Sequence, residues 1–124
     1  MGKLQNDGKE FFDRAVSAQS KTFRKWKDEC VGDMSEKRNA YLRVILERYN
    51  GQEIPFKHFE SVKSYSNELI YPIICAYHIG YFRVDSKGLV LKKEYANRIK
   101  QVSQETLQTA KDKINRNHPN FLQK

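Results

Sequence analysis

The chain has 124 residues, 39% of them hydrophobic, with 23 Lys and Arg against 15 Asp and Glu and a formal charge of +8. Seven Phe, seven Tyr and one Trp supply a core, while six Gly and three Pro exclude a fibrous or low-complexity chain. The length is that of one domain spanning 1–124. No apolar run approaches the roughly 20 residues that cross a bilayer, and the N-terminal residues lack a signal-peptide stretch. Two cysteines, Cys30 and Cys75, read as reduced thiols, so a cytoplasmic protein is expected, nucleoid-associated if it binds DNA. Charge divides unevenly: +3 over residues 1–50, zero over 51–90 and +5 over 91–124. A neutral middle between basic flanks assigns the core to the middle and any electrostatic surface to the flanks.

In chain order, Phe12, Val16, Phe23, Trp26 and Cys30 recur at helical spacing, predicting a helix over 9–31 that Gly32 ends. Asp33-Met34-Ser35-Glu36 has the form of a capping box. The helix it opens carries Tyr41, Leu42, Val44, Ile45, Leu46 and Tyr49 and stops at Asn50-Gly51. Ile54-Pro55 suits the first turn of a short helix bearing Phe56, Phe59 and Val62. After a polar turn, Ser66 is a candidate N-cap for a third helix through Leu69, Ile73 and Ala76 to Gly80. Either Pro72 kinks that helix, or the helix begins at Pro72 and the preceding one runs on to Ile70; a kink is the favoured reading. Tyr81-Phe82-Arg83-Val84 and Leu89-Val90-Leu91 flank Asp85-Ser86-Lys87-Gly88, which predicts a β-hairpin. From Lys92 a long helix follows, with Tyr95, Ile99, Val102, Thr106, Ala110 and Ile114 along one seam, ending at His118-Pro119. Residues 1–8 and 118–124 are expected to be flexible.

The order of helix, short helix, turn, helix and hairpin over 38–95 resembles the winged helix-turn-helix superfamily. The residues that carry the resemblance are Leu42, Val44, Ile45 and Leu46 for the first helix and 54–59 for the second. Ser66, Leu69, Ile73 and Ala76 stand for the third, and 80–84 lead into the wing. The expected fold is mainly α with one β-hairpin: a winged-helix-like core over about 36–95, an extra N-terminal helix and a long C-terminal helix. The resemblance implies duplex-DNA binding, with the third helix in the major groove and the wing at the backbone or minor groove. Carried onto this sequence, the contacts fall on Ser66, Asn67 and Tyr71 of the helix and Arg83 and Lys87 of the hairpin, with Lys92 and Lys93 nearby. The third helix departs from that pattern. It offers Ile70, Tyr71, Pro72 and Ile74 where DNA readers carry Arg, Lys, Asn, Gln or Ser, and it holds no Lys or Arg between Asn67 and Tyr81.

Lys21, Arg24, Lys25 and Lys27, interleaved with Phe23 and Trp26, form a second basic group that suits phosphate contact or is simply the solvated side of its helix. Cys75 and His78 supply half of a zinc set, which would need His58, Cys30 or His118 to converge. No nucleophile motif and no glycine-rich phosphate loop is present, so no catalytic residue, metal or cofactor is expected. The leading expectation is therefore a non-enzymatic DNA-binding protein acting as a transcriptional or replication accessory factor. The alternative is a protein-interaction module or inhibitor gripping a partner through an exposed Ile70, Tyr71 and Ile74. The C-terminal stripe of Tyr95, Ile99 and Val102 further implies a homodimer.

Overall fold

A computed structural model describes residues 8–26, 35–62, 66 and 68–122, with the side chains of the first stretch described over 8–18. The elements are α1 (Lys9–Trp26), α2 (Glu36–Arg48), β1 (Glu53–Pro55), α3 (Lys57–Ser61) and α4 (Tyr71–His78). They continue as β2 (Phe82–Val84), β3 (Gly88–Leu91), α5 (Lys93–Lys100) and α6 (Gln104–Asn117). The fold is thus mainly helical, with a small three-stranded antiparallel sheet rather than a hairpin alone.

Local chemistry accounts for most element ends. Ser35 caps α2, its Oγ accepting from Arg38 N at 3.3 Å. The expected cap, Asp33, lies outside the described residues, as does the break at Gly32. Glu36 does not close a box within its own helix. Its carboxylate accepts instead from Ser103 N at 3.0 Å, and these bonds to Ser103 hold its pKa below the usual carboxylate range. Ser103 in turn caps α6 through Thr106 N at 3.2 Å. Glu36 therefore supplies from another helix the reciprocal carboxylate that a capping box takes from its own third position.

This cap corrects the expected long C-terminal helix, which is two helices broken at residues 101–103. The apolar seam runs through the break because Val102, buried in the connection, keeps the spacing. Arg43 secures the other side of the gap, donating from a terminal amino group to the Lys100 carbonyl at 3.2 Å.

Ile54-Pro55 is a strand and not a helical turn. β1 pairs antiparallel with β3, Ile54 opposite Leu89, and β3 is central in the order β1-β3-β2. Proline is tolerated because β1 is an edge strand. The hairpin forms where expected, Phe82 opposite Leu91 and Val84 opposite Leu89, closed by Asp85 N on the Gly88 carbonyl at 2.8 Å. Gly88 permits the pairing of β1 and β3. A Cβ there would overlap the Ile54 carbonyl oxygen and lie 2.8 Å from Pro55 Cα.

The third helix begins at Tyr71 with Pro72 in its first turn and no kink, one residue ahead of the second reading's start, and the preceding helix stops at Ser61 instead of running on to Ile70. The pyrrolidine sits in the first turn, where no amide hydrogen is needed. Ser66 caps the turn before it, accepting from Leu69 N at 3.0 Å. At the other end Gly80, with φ +96°, lets Tyr81 N reach the Ala76 carbonyl at 2.9 Å and closes α4 in a Schellman motif. α1 covers α3 and α4: Phe12 is buried, its ring 5.1 Å from Phe59, 5.2 Å from Tyr77 and 5.6 Å from Phe56. Ala15 joins it, and Val16 is half-buried.

α2 packs against α4, β1, α5 and α6, so the stripe read as a dimer seam is covered within the chain by α2. Ile99 and Val102 are buried and Tyr95 is half-buried, stacked on Tyr81 at 4.5 Å. The tail is also tied down over 118–122. Arg48 Nε donates to the Phe121 carbonyl at 2.8 Å, and Phe121 and Leu122 pack half-buried on the core.

Two outcomes are expected in urea unfolding. Gly88→Ala should cost about 1–3 kcal/mol, because β1 must move off β3 to admit a methyl group. Ile99→Ala should cost about 2–5 kcal/mol as a core truncation, with the sedimentation coefficient unchanged.

Candidate nucleic-acid interface

Arg83 in β2, Lys87 in the turn, Lys92 before α5 and Lys93 at its start are all exposed. Their backbone is fixed. The Lys87 carbonyl accepts from Phe56 N at 3.0 Å, Lys92 N donates to the Tyr81 carbonyl at 2.9 Å, and Lys92 accepts from Tyr95 N at 3.1 Å. None of the four has an ion-pair partner among the described residues. The nearest acid in sequence, Asp85, accepts from Ser86 N at 2.6 Å. The structure therefore brings together these four site residues on one hairpin and the start of the helix after it.

The remaining predicted contacts do not join them. Ser66 is buried, engaged with Leu69 N and 3.2 Å from His118 Nε2. Tyr71 is half-buried beside Tyr41 and Lys113 in a groove on another part of the surface. Asn67, Lys27 and the side chains of Lys21, Arg24 and Lys25 lie outside the described residues.

The exposed apolar helix expected at 69–79 is corrected. Ile70, Pro72, Ile73, Ile74, Cys75 and Ala76 are all buried, because α1 and α2 pack on α4. A partner cannot grip Ile70 or Ile74 without first displacing α1 or α2. The same packing leaves His78 as the one exposed residue of α4, with Tyr71 and Tyr77 half-buried.

A second polar cluster, unmarked in the sequence, joins the end of α2 to the approach of α4. His58 is 1% exposed, with Nδ1 2.7 Å from Tyr49 Oη and Nε2 2.6 Å from the Leu69 carbonyl. A carbonyl only accepts, so Nε2 carries the proton and Nδ1 accepts from the Tyr49 hydroxyl. Burial pushes the imidazole down to about 4, against the Leu69 carbonyl, which favours the protonated ring, and pushes the Tyr49 phenol up to about 12. Buried Glu68 accepts from Asn117 Nδ2 at 3.1 Å and lies 3.2 Å from His118 Nε2. Both nitrogens of His58 are thus spent, and Cys75 is a buried thiol. Among the described residues no three His, Cys, Asp or Glu side chains gather in a way that could hold a metal ion. No described helix is long and apolar enough to cross a membrane. Sequence spacing could not have found Glu68 with His118, since they meet across 50 positions.

No family model, curated protein or solved structure matches the chain.

The His58 geometry sets a pH dependence. The unfolded imidazole binds its proton near 6.5 and the folded one only near 4. Stability is therefore full above about pH 6.5 and falls as pH drops from 6.5 towards 4, by roughly 3 kcal/mol for this group. Urea midpoints measured between pH 7.5 and 4 should show that slope, and His58→Gln should flatten it.

Proposed function

We propose that the chain is a winged-helix-type protein that binds duplex DNA through its hairpin by phosphate contact and not by base reading. The observation that carries this is the set of four exposed cations, Arg83, Lys87, Lys92 and Lys93, on one hairpin and the helix start after it, none with an ion-pair partner among the described residues. The succession helix, strand, helix, helix, strand, strand from α2 to β3, with β3 central, supports the winged-helix reading. The +8 charge supports a polyanionic partner. Burial of α4 favours the wing as the contact in this reading: cations that meet phosphates fix position, whereas sequence is read by donors and acceptors in a groove. A transcriptional or replication accessory role belongs to this same reading.

The test is a fluorescence titration with two unrelated 20-bp duplexes at several salt concentrations. Four phosphate contacts predict a slope of log K against log salt of about −3 to −4, hence about 100-fold weaker binding at 200 mM than at 50 mM salt. The two duplexes should bind alike. Replacing both Lys92 and Lys93 by Ala should reduce the slope by about 2. Binding weaker than about 10⁻⁴ M in physiological salt, or an unchanged slope in the double variant, would sink the proposal.

A further inference from the structure

The end of α2, the end of α3 and the residues after α6 enclose a cleft of about 570 Å3. That is the size of sites for small organic ligands, roughly 300–1,000 Å3. Val62, Leu69 and Phe121 give it an apolar wall. Most of its polar neighbours are spent: the Tyr49 hydroxyl on His58, and His118 Nε2 on Glu68 and Ser66. Arg48 is different. Its Nε donates to the Phe121 carbonyl at 2.8 Å and its guanidinium stands 6.0 Å from the Phe121 ring centre, which fixes the planar fork. Its two terminal amino groups have no partner among the described residues, and no carboxylate there lies within ion-pair distance. Arg48 is half-buried on the cleft wall.

A guanidinium held in place, with terminal donors that no described residue engages and an aromatic and aliphatic wall beside it, matches the two oxygens of a carboxylate. Arg48 is the one Lys or Arg among the described residues lining the cleft, and a single positive charge favours a carboxylate over a phosphate dianion. We propose that this cleft binds a small organic carboxylate with an apolar body, the carboxylate on Arg48 and the body against Val62, Leu69 and Phe121. The site shares no residue with the hairpin surface and does not depend on DNA binding.

The experiment is thermal unfolding of the full chain with phenylacetate, indole-3-carboxylate or octanoate at up to 10 mM, each paired with its neutral amide. At least one carboxylate should raise Tm by about 4 °C at ten times its Kd, and its amide should shift Tm far less. Arg48→Met should lose that difference, while Arg48→Lys, which keeps the charge but not the fork, should retain part of it. In amide-proton NMR the carboxylate should move the signals of Val62, Leu69 and Phe121. The proposal is overturned if no carboxylate shifts Tm, if acid and amide act alike, or if the NMR shifts centre elsewhere. If Arg48→Met does not fold, the wild-type comparison of acid with amide and the NMR map decide.

Discussion

Helix α2 is buried over residues 39–42 and 44–46, and much of the chain is arranged to cover that stretch. Ala40, Leu42, Val44, Ile45 and Leu46 are all buried, and so are Asn39 and Tyr41. These positions span more than one stripe of a helix, so a single neighbour could not bury them. α4, β1, α5 and α6 share the task. Polar links hold two of these neighbours in place. The Tyr81 hydroxyl donates to buried Asn39 at 3.2 Å, and Tyr95 of α5 stacks on Tyr81 with Arg98 5.2 Å above it. The Tyr81 carbonyl then accepts from Lys92 N. The cations at the start of α5 are thus tied to the core through one tyrosine, and their positions follow from the covering of α2.

The opposite end of α2 is fixed by a different balance. Burying His58 removes its imidazole from water, a cost that only satisfied nitrogens offset. Tyr49 satisfies one and the Leu69 carbonyl the other, which locks the chain ahead of α4 against α2. Leu69 and Ser66 are then placed so that His118 and Glu68 meet, and the tail folds back over them. The cleft beside Arg48 is the space left between these constraints.

What was legible in the sequence is what local chemistry decides. Asp85 to Gly88 between two apolar runs marked the hairpin, and charged residues on so short a hairpin have nowhere to go but outward, so the exposure of Arg83 and Lys87 was legible. Gly80 marked a real helix end, whereas the cap of α2 is Ser35 and not the expected Asp33. β1 was missed because Ile54-Pro55 carries the same signal as a helix start, and only the distant partner β3 makes it a strand. The break at Ser103 was missed because the apolar spacing continues across it and half of its cap, Glu36, comes from another helix. α4 was misread for a further reason: a helix apolar on every side does not say which side is solvent, and here α1 and α2 leave almost none. Arg48, Glu68 and His118 are ordinary surface types whose roles exist only once distant segments meet.

The distribution of charge on the folded chain bears on what the proposed DNA contact can achieve. Residues 81–100 hold six Lys and Arg against Asp85 and Glu94, a net +4 that is half of the whole chain's +8. Concentrating the charge on a hairpin and the helix after it focuses the potential there, whereas α4 carries no Lys or Arg. A surface of that kind attracts a phosphate backbone strongly at low salt and discriminates little between sequences. Selectivity would then have to come from DNA shape, which Arg83 beside the exposed Val84 could sense in a narrow minor groove.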